Sequence, residues 1–177
     1  LLSVILNLIA GLIFTLCFLV FIDLSVRYLD IEYLVFIEKF NLLIAYGWIL
    51  VQVILHECSH AVGYKVYGGK VAFGIKWLCP YCREKTGKFY TVNQFILTLI
   101  LPIIVVTLMG MVAIFLFPEC YYYASICILA NLAGASGDVM MLMYVLFFTK
   151  KNYYVRDELY GFSMHQAVLN PIGIKEY

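Results

Sequence analysis

The chain has 177 residues, of which 64% are apolar and 13% charged, and its mean hydropathy is strongly positive. That balance excludes an ordinary soluble domain and places the chain in a membrane, while the length is that of one domain. A formal net charge of +1 argues against a nucleic-acid partner or any other highly charged one.

Crossing a bilayer core takes roughly 20 apolar residues, and residues 1–22, 40–66, 95–117 and 121–148 each form such a run. The first run has no basic n-region and no small-residue cleavage site, and it is too long for a signal-peptide core, so it is read as a helix. The expected fold is an all-α membrane protein of four transmembrane helices with a short cytoplasmic β-hairpin between the second and third. Residues 1–177 then form a single transmembrane domain with a polar tail over 149–177.

The connections set the orientation. The loop over 23–39 holds Arg27 and Lys39 against Asp23, Asp30, Glu32 and Glu38. The loop over 65–88 carries Lys65, Lys70, Lys76, Arg83, Lys85 and Lys88 against Glu84, and Lys150, Lys151 and Arg156 follow the last run. Basic residues gather on the cytoplasmic side, which puts the second loop and both termini inside. Much of the tyrosine content, including Tyr121 to Tyr123, reads as an interfacial belt.

The second run contains "QVILHECSHAVGYKV". An ionisable side chain at the centre of a span costs roughly 2.5 to 3.5 kcal/mol on insertion scales, so it persists where it is paired, liganded or wetted. His56 and His60 are one helical turn apart and share a face, while Glu57 sits beside that face. This is the HExxH arrangement, in which two neutral histidines bind Zn²⁺ and the glutamate takes a proton from water that the metal has acidified. A catalytic zinc needs a third protein ligand and an open position.

The fourth run, "ILANLAGASGDVMMLMYV", has one charged residue, Asp138. Counted from the cytoplasmic ends of their helices, His60 and Asp138 both lie roughly 10 to 15 Å below the same membrane face, so Asp138 is the expected third ligand. Ala133, Gly134, Ala135, Ser136 and Gly137 form a small-residue stretch that permits close helix packing or local unwinding. Asn131, seven residues before Asp138, is placed to contact substrate or the developing oxyanion through its amide. Interhelical hydrogen bonding is the plainer role for such an amide.

His56-Glu57-Cys58-Ser59-His60 together with Asn131 to Asp138 resembles the core of the site-2 protease group of intramembrane zinc metallopeptidases. More specifically, "KWLCPYCREKTGKFYTVNQFILTLILPII" is similar to the bacterial "putative zincin peptidase" family of unknown function. The resemblance covers about residues 40–148. It implies His56, His60 and Asp138 as zinc ligands, Glu57 as the base and Asn131 as a substrate contact, in a bacterial cell membrane. The interval from Asn131 to Asp138 is one residue shorter than the site-2 protease pattern, lacks its proline, and has Val139 in place of the glycine after the aspartate.

Cys79 and Cys82 form a single C-P-Y-C, which lacks the second pair that a structural zinc site would want, and it is read as the tight turn of the hairpin. The preceding "KVAFGIKWL" alternates enough to be a strand, and the hairpin is placed to receive an unwound substrate by strand addition. His165 in the tail is expected at the surface. A haem protein would need histidines on opposite sides of the iron, and a thiol oxidoreductase leaves Glu57 and Asp138 without a role. A glutamate third ligand would have to be Glu119 or Glu158, both poorly placed. The function expected is intramembrane hydrolysis of peptide bonds in membrane-associated substrates. The alternative is a non-catalytic metal-binding or structural membrane protein, for which Glu57 would be superfluous.

Overall fold

The computed structural model describes residues 41–76, 79–117, 120–149, 152–158 and 161–166, together with eight scattered helical positions before residue 28. In chain order the elements are α1 (Leu42–Val66), β1 (Val71–Lys76), β2 (Cys79–Glu84), β3 (Phe89–Thr91), α2 (Val92–Leu116), α3 (Tyr121–Gly134), α4 (Ser136–Phe148), β4 (Tyr153–Glu158) and β5 (Gly161–Gln166). Two helices, α1 and α2, are long and apolar enough to cross a membrane, and α3 with α4 would make a third. The expected first span, over 1–22, lies outside the described residues apart from the scattered positions.

The run over 121–148 is not one straight helix: it breaks at Ala135 and bends by 45°. The break falls in the middle of the small-residue stretch, where two glycines weaken helix propensity and no bulky side chain braces the turn. The described residues of the tail form two strands. β4 and β5 pair antiparallel with each other, and β4 pairs with β3, giving a sheet of order β3-β4-β5. The all-α expectation is corrected accordingly. The hairpin is present as the two-stranded β1-β2 sheet, but Cys79 to Cys82 lies within strand β2 rather than in its turn.

The chain divides into two compact units. One contains residues up to Leu55 and Ile103–Gly137. Here Asn41 caps α1, its Oδ1 accepting the N–H groups of Leu43 (2.9 Å) and Ile44 (3.2 Å). Gly110 of α2 lies against Ile128 of α3 so closely that a Cβ there would sit 2.6 Å from the isoleucine Cγ1.

The other unit comprises His56–Pro102 and Asp138–Tyr177. Its core is Tyr64, Tyr90, Phe95, Leu99, Val145 and Val155. Tyr90 and Val155 face each other across β3 and β4, and both are fully buried. At the end of α1, Gly68 N–H donates to Lys65 C=O and Gly69 N–H to Tyr64 C=O, both at 2.9 Å. This is a Schellman cap, and it requires the positive φ of 76° that Gly68 adopts. Lys88 Nζ adds a cation at the same helix end by donating to Tyr67 C=O. These caps fix where α1 stops and β1 begins, and so where the hairpin stands.

Candidate metal centre

α1 turns His56 and His60 to one side, with ring centroids 5.0 Å apart and planes at 79°. Asp138 enters from the first turn of α4. Its Oδ2 lies 3.1 Å from His56 Nε2 and 3.3 Å from His60 Nε2. Both histidines are buried, and one donor atom from each of the three residues lies within 4.8 Å of the others. In a tetrahedral site with bonds of about 2.0 to 2.1 Å, ligand atoms stand roughly 3.3 Å from one another. The His–Asp separations are close to that spacing, and two imidazoles with a carboxylate are ordinary zinc donors, so the residues present fit the ion.

His60 is oriented from behind. Its Nδ1 lies 3.0 Å from the carbonyl oxygen of Thr98 in α2. In a regular helix that carbonyl would accept the N–H of the residue four positions on. That residue is Pro102, which has no N–H. The proline therefore frees a main-chain acceptor for the histidine. With Nδ1–H donating to it, Nε2 carries the lone pair, which is the tautomer a metal requires. Gly63, three residues after His60, lets the two helices meet: a Cβ there would lie 2.9 Å from Thr98 Oγ1 and 3.1 Å from Thr98 Cα.

Glu57 sits on the neighbouring face of α1 and is half-buried. Its carboxylate accepts the backbone N–H of Cys82 in β2 and lies within electrostatic range of His60, His56 and Asp138. The HExxH helix and the hairpin thus meet at the glutamate. Burial, followed by the negative charge of Glu57, pushes the Cys82 thiol up to about 12. A thiol held so firmly protonated is a poor nucleophile. Asn131 is fully buried in the first unit, where its Oδ1 accepts the amide of Gln52 at 3.1 Å. His165 is part-buried in β5, 3.0 Å from Ser163 Oγ and edge-on to Phe89.

Some contributors escaped the sequence reading. Gln52, one turn before His56, and Thr98 are polar positions within apolar helices and so carried a signal, as did Pro102 four residues beyond Thr98. Glu84 and Asp157 carried none, because acidic residues in short extramembrane segments look solvated. Glu84 is buried and gathers four hydrogen bonds, from the N–H groups of Lys70, Thr86 and Lys88 and from the Thr86 hydroxyl.

No curated protein and no solved structure matches the chain. A family profile does match, over residues 49–154, more than half of the chain and a segment that includes His56, Glu57, His60 and Asp138. By that match the chain belongs to the DUF3267 family, described as "putative zincin peptidase".

Proposed function

We propose that this protein is an intramembrane zinc metallopeptidase that hydrolyses peptide bonds of membrane-associated substrates. The observation that carries the reading is the convergence of His56 Nε2, His60 Nε2 and Asp138 Oδ2 beside the Glu57 carboxylate. His56, His60 and Asp138 would hold the ion, and Glu57 would serve as general base. Zinc, when bound, supplies Lewis acidity, lowering the pKa of water to about 7 and polarising a carbonyl.

The remaining chemistry belongs to the chain. Glu57 accepts a proton from water at its carboxylate and returns it to the departing amine. The Cys82 N–H steadies that carboxylate in its charged form and holds it beside the ligands. The Thr98 carbonyl holds His60 in the ligating tautomer. A substrate helix must unwind locally, since its own hydrogen bonds hide the scissile carbonyl. Strand-like binding of such a segment at the hairpin is part of the proposal, as is a substrate contact through the Asn131 amide.

In this reading the chain is a single domain of four spans in a bacterial cell membrane, with both termini cytoplasmic and the lipid bilayer as its surroundings. The outward apolar surface of the helices supports the membrane setting, for example Leu43 at 80% exposure and Phe115 at 84%. The rival reading, a structural metal site without turnover, gives Glu57 no task.

Metal content by mass spectrometry, paired with cleavage of a quenched transmembrane peptide in liposomes, tests the proposal. Zinc should be present at about one per chain and be lost in His56→Ala and Asp138→Ala. Glu57→Gln should keep zinc and lose cleavage by a factor on the order of 100 or more. Zinc retained in Asp138→Ala would refute the ligand set. Cleavage undiminished in Glu57→Gln would refute the base.

A further inference from the structure

The two strands of the hairpin differ at their outer edges. Lys85 N–H donates to Lys70 C=O at 2.9 Å, so the odd-numbered residues of β2 turn their N–H groups toward β1 and the even-numbered ones turn theirs away. Pro80 has no N–H. Two outward donors therefore remain on β2, Cys82 and Glu84, and a carboxylate caps each. Glu57 of α1 takes the Cys82 N–H, and Asp157 Oδ2 of β4 takes the Glu84 N–H at 2.7 Å.

Asp157 has no part in the reaction proposed above, yet it is held from two sides. Its strand is central in the β3-β4-β5 sheet, where Asp157 pairs with Phe162. Its carboxylate also accepts the Tyr64 hydroxyl. Tyr64 is buried and lies on α1, one turn beyond His60. Asp157 is thus bonded both to the helix that carries Glu57 and to the strand that carries Cys82. The Glu84 side chain cannot substitute for it, because its oxygens are occupied by Lys70, Thr86 and Lys88.

We propose that Asp157 is a positioning residue for Glu57. By holding the Glu84 N–H against a strand fixed in the second sheet, it sets the height of β2 along α1, and with it the point at which the Cys82 N–H meets the Glu57 carboxylate. The two outward donors lie two residues apart, roughly 6.6 Å along the strand. A shift of β2 by one residue would turn both N–H groups inward, and a shift by two in one direction would bring Pro80, which has nothing to donate, to the Glu57 cap. The catalytic meaning rests on Glu57 being the base, while the structural coupling between the two caps does not.

Residue-resolved hydrogen exchange on the full-length protein in detergent, read at Cys82 and Glu84, tests the coupling without any substrate. In Asp157→Ala both amides should exchange faster, Cys82 by about tenfold, as expected for one lost charge-assisted bond. Cys82 should then approach the rate it shows in Glu57→Ala. In Asp157→Asn, whose amide oxygen still accepts the Glu84 N–H, both rates should stay within about threefold of wild type. If Asp157→Ala speeds Glu84 alone, the positioning role is overturned, because the caps are then independent.

Turnover supplies the second readout. Asp157→Ala should keep about one zinc per chain and lose kcat by about 100-fold at nearly constant KM, and Asp157→Asn should restore it. A wild type that cleaves no peptide, with the exchange coupling intact, would sink the peptidase reading and leave the caps standing. Normal kcat in a zinc-loaded Asp157→Ala would overturn the positioning role.

Discussion

Asp157 and Glu84 lie next to each other on β4 and β2, and they are held in opposite directions from the ordinary range. Burial works to raise Glu84, but hydrogen bonds from Thr86, Lys88 and Lys70 outweigh it and keep that carboxyl below its usual value. Burial dominates at Asp157 and pushes it from 3.8 to about 6, against the Glu84 N–H and the Tyr64 hydroxyl that bond it and with help from the Glu84 charge. The groups facing it are Tyr64 and His60 from α1, Glu84 and Cys82 from β2, and Tyr90 from β3. A folded-state pKa above the unfolded one means the folded protein binds the proton more tightly. The associated stability is fully present below about pH 4 and is lost as pH rises through about 6. The shift corresponds to roughly 3 kcal/mol. Thermal unfolding between pH 7 and pH 5 should therefore show a stabilising slope on acidification, and Asp157→Asn should flatten it. A slope unchanged in that variant would show that Asp157 does not titrate in this window. Glu84 contributes with the opposite sign, its share being lost only below its ordinary value of 4.5. Neither acid was legible in the sequence, because what singles them out is the distant strand each one meets. His56, Glu57 and His60 were legible from local spacing alone, and Asp138 from being the one residue in its run that is charged at neutral pH.

At the scale of elements, α1 and α2 are matched by glycine and proline at two different positions. Gly63 removes the side chain that would hold the helices apart, and Pro102 removes the N–H that would otherwise claim the Thr98 carbonyl. Both changes serve the same contact, His60 Nδ1 to Thr98 oxygen. A methyl group at position 63 would meet Thr98 Cα at 3.1 Å, and backbone cannot rotate away as a side chain tip can. Gly63→Ala should therefore cost about 1 to 3 kcal/mol of stability through overpacking. By lengthening the bond that orients His60, it should also weaken zinc binding by about tenfold or more. Competition against a chelator of known zinc affinity measures this directly, and an unchanged affinity would mean that the Thr98 contact does not tune the ligand. The apolar helices α1 and α2 were readable, to within a few residues, because hydropathy is a local property, and the β1 strand because its alternation is local. The bend at Ala135 was foreshadowed by a run of small residues without being fixed by it. The β3-β4-β5 sheet was not readable, since a three-residue strand finds its partner far along the chain and no short-range pattern announces such a pairing.

At the scale of the whole molecule, the candidate ligands come from α1 and α4, which are separated in sequence by the hairpin, β3, α2 and α3. An ion joining them would close a long loop and tie the first HExxH turn to the helix that carries Val145 into the core. Such an ion binds the folded chain far better than the unfolded one, so it stabilises by mass action. Free zinc at 100 times its dissociation constant adds about 2.7 kcal/mol. For a chain of this length that shift is worth roughly 5 to 10 °C in the unfolding midpoint. Treatment with a membrane-permeant chelator should lower the midpoint by this amount, and added zinc should restore it. Glu57→Gln should show the same zinc-dependent shift, because the base is not needed to hold the ion. Asp138→Ala should show almost none and should melt near the chelated wild type. If chelation moves all three proteins equally, the metal acts somewhere other than the His56, His60 and Asp138 cluster. If it moves none of them, the cluster is an ion pair within the fold, and the resemblance to a zinc site is one of geometry alone.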